Sequence, residues 1–200
     1  YGVSIPLPIQ AKLVLETETK ELGVPAGPQD RVIQVYEGLV FMNFDRELMT
    51  SRGYGEYERL DPGLLPNLYL AYRTSLSEGT EVFHSNVRER WNRGDPEVLG
   101  AMRRWAEIAE EGRAALLERN YRRLNELIDE NFDLRKRIYD IGCGNLEMIH
   151  AARVVGASSN FAGSGGAVVG VYRDETMFEA LKARMQPLGV AVVKPIIDAK

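Results

Sequence analysis

Gly156-Ala157-Ser158-Ser159-Asn160-Phe161-Ala162-Gly163-Ser164-Gly165-Gly166-Ala167-Val168-Val169-Gly170 gathers its glycines in a compact turn that runs straight into an apolar, β-type stretch. A turn of this composition can lay backbone N–H groups around an anion. It can equally be a tight strand-to-strand connection in which glycine supplies a positive φ. Local sequence leaves both readings open. The turn lacks the Lys-Ser/Thr ending of a P-loop and the spacing of a dinucleotide fingerprint, so neither motif applies.

The pattern around it predicts a helix over 145–155, a strand near 158–162, a strand over 167–172, a helix over 174–186 and a strand over 189–197. Upstream, Asp95-Pro96-Glu97 opens a long helix with Val98, Met102, Trp105, Ala109, Gly112 and Leu116 along one face. A second helix follows through Leu124, Leu127, Ile128, Leu134 and Ile138, and the two read as an αα-hairpin joined at Asn120. Leu68 to Tyr72 reads as a strand. Residues 45–65, punctuated by Gly53, Gly55, Pro62, Gly63 and Pro66, are the candidate lobe boundary. Before it, Pro8 to Leu22 reads as a helix with Ile9, Leu13, Val14 and Leu15 inward, ended by Gly23 and Pro25. A loop, a short helix after Asp30, a turn at Gly38 and a strand from Leu39 to Phe44 complete the pattern. Mixed elements in this order indicate an α+β fold without internal repeats.

The 200 residues are 44% hydrophobic, enough for one good core or two lobes, and their formal net charge is −4. With no basic stripe to neutralise phosphates, nucleic acid is excluded as the expected partner. No apolar run approaches the roughly 20 residues of a membrane span, and the start carries no signal-peptide pattern. Cys143 stands alone, so no internal disulfide can form and a reducing, cytoplasmic setting is expected. The opening on Tyr1, in mid-pattern, suggests a fragment or a processed chain.

Asp30 is the first candidate for chemistry. A kinase acting on a hydroxyl needs a carboxylate within reach of the nucleophilic oxygen, to accept or orient its proton. Asp just before a short helix is also a preferred N-cap, and one side chain can serve both roles. Arg88 and Arg90, in a segment with His84 and Ser85, could clamp an anionic substrate or line a solvated helix face. Cys143 and His150 lack the partners of a metal or nucleophile site and are read as structural, Cys143 as a small packed residue. Tyr139-Asp140-Ile141-Gly142-Cys143-Gly144-Asn145 resembles the first motif of S-adenosylmethionine-dependent methyltransferases, but the residues before it read as an amphipathic helix, too charged for a buried parallel strand.

Val24 to Val32, Leu124 to Leu134, and Ala151 to Ala157 leading into the glycine turn resemble, in order and spacing, the GHMP kinases: galactokinase, homoserine kinase, mevalonate kinase and phosphomevalonate kinase. Within that family, Ala26 to Tyr36 and Val87-Arg88-Glu89-Arg90-Trp91 are most similar to the sugar-acid kinase branch of plants, the glucuronokinases. The resemblance implies transfer of phosphate from ATP to the anomeric hydroxyl of D-glucuronate. It implies that residues 1–62 are the end of an N-terminal lobe and residues 63–200 a ferredoxin-like C-terminal lobe. It assigns catalysis to Asp30 and Mg²⁺ to Glu18; Gly27, Gln29, Arg88 and Arg90 are the expected substrate contacts, one of the two arginines pairing with the carboxylate because a uronate-selective site needs a cation. The turn Gly163-Ser164-Gly165-Gly166 is implied to lie beside the phosphates. Asn160 and Ala162 depart from the Lys and Thr that relatives often carry around that turn. The family's phosphate-binding Gly-Leu-x-Ser-Ser-Ala motif is expected upstream of Tyr1, so the residues shown are not expected to be a competent enzyme by themselves. A non-catalytic relative acting as a small-molecule sensor or interaction module is the alternative.

Overall fold

Helix α1, Leu7–Glu16, opens the computed structural model, which describes residues 2–24, 26–73, 87–163 and 165–197. Proline inside its first turn costs no hydrogen bond, because the N–H groups there have no intrahelical partner. The helix runs on as a wider π-helical turn, Thr17–Glu21, in which the Leu22 N–H reaches back to the Thr17 carbonyl at 3.1 Å. The hydroxyls of Thr17 and Thr19 donate to the Leu13 and Leu15 carbonyls at 2.9 and 2.8 Å, a back-bonding that loosens a helix. Helix α2 is Pro28–Tyr36, with Gly27 as its N-cap residue. Asp30 is therefore not a cap. Pro28 begins the helix three residues earlier than the sequence reading expects, and Asp30 is its third residue.

The helices α1 and α2 pack on each other through buried Ala11 and Val32. Leu13 and Val14, expected to face inward, are exposed: the small Ala11 marks the side on which α2 closes. Strands β1, Leu39–Asn43, and β2, Glu56–Leu60, pair antiparallel with Leu39 opposite Leu60 and Asn43 opposite Glu56. Between them stands α3, Arg46–Arg52, capped by Asp45, whose carboxylate accepts the N–H groups of Glu47 at 2.8 Å and Leu48 at 3.2 Å. The glycine- and proline-punctuated stretch thus holds a helix and a strand. These elements make one compact unit, which runs to Gly63; the second unit is Leu64–Ile196.

The second unit is built on an antiparallel sheet of β3, Leu68–Tyr72, β4, Asn160–Phe161, β5, Ala167–Val171, and β6, Ala191–Val193, in the order β4-β5-β3-β6. Helices α4, Pro96–Leu117, α5, Tyr121–Ile138, and α6, Cys143–Val154, lie between β3 and β4 in the chain, and α7, Glu175–Met185, between β5 and β6. That connectivity, with β3 central and flanked by β5 and β6, is the split βαβ arrangement of ferredoxin-like folds. The last strand is three residues long, shorter than the predicted 189–197. Among the described residues, no helix is long and apolar enough to cross a membrane.

Tyr69, Ala71 and Val168 from the sheet meet Phe132, Met148, Ala152, Phe178, Leu181 and Met185 from the helices in one core. Gly170 permits the closest approach in it. A β-carbon there would stand 1.8 Å from the Ser158 carbonyl oxygen and 2.8 Å from the Tyr69 ring. The Tyr69 hydroxyl donates to that same carbonyl at 2.9 Å, and burial pushes its pKa up. Arg153 ties α6 to α5 through Asp133 at 2.7 Å and Asp129 at 3.1 Å, and Asp129 also accepts the Ser159 N–H at 3.0 Å, which pins the entry to β4. Burial pushes the Asp129 carboxyl up despite the guanidinium beside it.

Asp95 and Asn120 cap α4 and α5 with their side chains, and the two helices form the predicted hairpin. Its inward face is Val98, Ala101, Ile108 and Ala115, whereas Ala109, assigned to that face from sequence, is exposed. Burial of Ile108, Leu127 and Leu134 is the larger contribution to the hairpin: removing one such side chain costs about 2–5 kcal/mol, against about 0–1 kcal/mol for a surface ion pair.

Candidate functional site

In the first unit the start of α2 places Gly27, Gln29 and Asp30 on one turn. The Asp30 side chain is 79% exposed, which suits a carboxylate that must meet a ligand. Beside it Arg31, only 14% exposed, reaches Asp30 Oδ2 from Nη1 at 3.2 Å and pairs through Nη2 with Glu18 Oε2 on the π-helical turn. The structure thus joins the two predicted carboxylates, Asp30 and Glu18, through one guanidinium. Arg31 lies within the run Ala26 to Tyr36 and carries no role in the sequence reading. Its signal was available only as a basic residue following the aspartate.

Glu18 Oε2 is buried against the Arg31 guanidinium, its counter-ion, while the side chain as a whole is 25% exposed. A single hard carboxylate of this kind fits Mg²⁺, which is commonly held by one or two carboxylates together with substrate phosphates. Among the described residues, no group of three or more His, Cys, Asp or Glu side chains is placed to hold a metal ion.

In the second unit the glycine turn is the loop of the β4–β5 hairpin, closed by the Ala162 N–H donating to the Ala167 carbonyl at 3.0 Å. Gly165 at φ 147° and Gly166 at φ 75° adopt conformations that L side chains resist. The Gly166 N–H donates to Asn145 Oδ1 at 2.8 Å, and its carbonyl accepts the Arg73 N–H, also at 2.8 Å. Arg135 lies across the rings of Phe161 and Tyr139 at 5.4 and 5.8 Å, where burial pulls its guanidinium below the ordinary value. Ser164 falls outside the described residues, as do His84 and Ser85.

Arg90 and Arg88 differ sharply. The Arg90 fork is consumed within the fold, donating to Asp95 at 2.7 Å, Glu97 at 2.7 Å and the Ile138 carbonyl at 3.2 Å. It fastens the helical residues 87–92 to the ends of α4 and α5. Arg88 is exposed and borders a cavity of about 360 Å³ walled by Val87, Trp91, Met102 and Tyr139. Cys143, expected to be packed, is exposed on the first turn of α6, and His150 is exposed on the same helix. Residues 139–142 link α5 to α6 and residues 143–145 open α6, so a helix and not a strand leads into the methyltransferase-like segment, which lacks the strand end that such a motif requires.

No family model matches the chain. Among curated proteins it is similar to "Probable glucuronokinase 2" of Arabidopsis thaliana, 48% identical over 170 residues, which cover 83% of this chain and 46% of that protein. It is similarly related to "Glucuronokinase 1" of the same plant, at 47% over 168 residues, 82% of this chain and 46% of that protein. The chain spans about half the length of the curated relatives it matches. Among solved structures, a phosphomevalonate kinase of Streptococcus pneumoniae superposes with a TM-score of 0.73 at 16% identity, over 98% of this chain and 65% of that one. A mevalonate kinase of L. major gives 0.67 at 17%, covering 88% and 56%. A galactokinase of Lactococcus lactis gives 0.67 at 16%, covering 98% and 61%. At such identities these structures establish a common fold, the α+β fold of the GHMP kinases.

Proposed function

We propose, from a chain that is a sequence relative of plant glucuronokinases and carries the GHMP-kinase fold, that the full-length protein is an ATP-dependent sugar-acid kinase. Its proposed reaction joins the γ-phosphate of ATP to the anomeric hydroxyl of D-glucuronate, giving glucuronate 1-phosphate and ADP, in the cytoplasm. The observation that carries this reading is the 48% identity to a probable glucuronokinase along 83% of the chain.

In the proposed mechanism Asp30 accepts or orients the proton of the attacking hydroxyl, the role for which an exposed carboxylate on a rigid helix start is suited. Arg31 fixes its orientation from one side. Gly27 and Gln29, on the same turn, border the sugar. Glu18 would hold Mg²⁺, which when bound supplies charge neutralisation at the phosphate oxygens. Arg88 is the cation proposed for the uronate carboxylate, since the residue is exposed, lines the cavity and carries a planar fork that matches a carboxylate. Arg90 orients the segment that carries Arg88. The turn Gly163-Ser164-Gly165-Gly166 is proposed to lie beside the transferred phosphate.

Release of ADP, measured with the full-length protein over a panel of uronic acids and neutral sugars, tests the reading. Turnover is expected with D-glucuronate. Turnover with galactose or mevalonate and with no uronic acid would reject the substrate, and binding of sugars without any turnover would favour the non-catalytic alternative.

A further inference from the structure

The segment that looks like a methyltransferase motif has another use. Asn145 is the third residue of α6 and only 2% exposed. A buried primary amide is costly unless its polar atoms are engaged. Its Oδ1 accepts the Gly166 N–H at 2.8 Å, while its Nδ2 lies 3.0 Å from where a β-carbon on Gly165 would stand. On the far side, the Gly166 carbonyl accepts the Arg73 N–H at 2.8 Å, carrying the β3–β5 ladder one step beyond the Tyr72–Ala167 pair. Both polar groups of Gly166 are therefore held, one by the sheet and one by Asn145.

We propose that Asn145 is a positioning residue for the phosphotransfer site, fixing the glycine turn by binding the Gly166 amide. With that N–H committed, recognition of a phosphate oxygen falls to the other amides of the turn. The glycine at 165 is required for the same reason, since it lets the Asn145 amide press against the turn backbone. This inference rests on the proposed placement of the turn beside the phosphates.

The test compares Asn145→Leu, which keeps the size and removes the acceptor, with Asn145→Asp, which keeps an acceptor oxygen, in the full-length protein. Exchange of the Gly166 amide hydrogen is followed by NMR, with kcat and KM for ATP and glucuronate measured alongside. Asn145→Leu is expected to speed Gly166 exchange and lower kcat, each by about tenfold, the worth of one buried hydrogen bond, while KM for the sugar stays within about twofold. Asn145→Asp is expected to restore both. Wild-type exchange and kcat in Asn145→Leu would overturn the proposal. So would an Asp variant as slow as the Leu variant with Gly166 still protected, which would place the role in the side-chain NH₂. If Asn145→Leu fails to fold, Asn145→Ala removes the same acceptor without crowding the turn: faster Gly166 exchange with a similar loss of kcat supports the proposal, and wild-type exchange and kcat overturn it. A wild-type protein that phosphorylates no sugar would sink the kinase reading, while the exchange measurement would still decide whether Asn145 holds the turn.

Discussion

Asp30 combines exposure with a fixed position: its helix starts at Pro28, and its carboxylate is braced by Arg31 at 3.2 Å. Asp30→Asn is expected to lower kcat by about two to four orders of magnitude, the range for a positioned acid or base. Because the residue is no cap, its melting temperature should stay near that of the wild type. Normal kcat in a folded variant would remove Asp30 from the chemistry. The two arginines predict opposite behaviour. Arg88→Ala is expected to raise KM for glucuronate far more than for glucose, whereas Arg90→Ala, losing Asp95, Glu97 and the Ile138 carbonyl, should lower the melting temperature without separating the two sugars. Equal changes in KM for both sugars in Arg88→Ala would move the carboxylate site elsewhere. The run from Ala26 to Arg31 made Asp30 legible in the sequence. Asn145 was not, because its bond to Gly166 spans 21 residues and local pattern carries no trace of it.

At the scale of elements, the hairpin of α4 and α5 is laced by charge. Arg104 binds Glu130 at 2.6 Å, Glu111 at 2.6 Å and Glu107 at 2.9 Å, and Arg123 binds Glu111 and Glu126. Hydrogen bonds from these guanidinium groups hold the carboxyls of Glu111, Glu126 and Glu130 below the ordinary glutamate value of 4.5. A carboxyl depressed in the folded state contributes stability that is complete above its unfolded pKa and lost as pH falls through the folded one. Thermal melts are therefore expected to drop as pH is lowered below 4.5, and Arg104→Met should make that drop shallower. An identical acid profile in the variant would remove the network as its cause. The hairpin was readable from sequence through its caps, Asp95 and Asn120. Helix α3 and strand β2 were not, because glycine and proline flank them closely enough to read as continuous loop. The face of α4 was misassigned where a long helix packs through small residues, Ala101 and Ala115, that hydropathy alone does not rank above Ala109.

For the molecule as a whole, strand order and helix placement give the GHMP-kinase fold, and similarity along most of the chain points to glucuronokinases that are about twice its length. The α+β class was readable because strands β1, β3 and β5 are short, apolar runs set among helical patterns, whereas the ferredoxin-like arrangement of the second unit was readable only through resemblance. The substrate was readable only through resemblance, since no local pattern distinguishes a uronate from a neutral sugar. The most direct test of the account follows the phosphate itself. The full-length protein is given ATP and D-glucuronate labelled with ¹³C at C1, and the product is examined by ³¹P and ¹³C NMR. The account predicts a phosphate ester coupled to the labelled carbon, formed only when ATP is present. A phosphate on another carbon, or no phosphorylated uronate under conditions where galactose or mevalonate is phosphorylated, would contradict it.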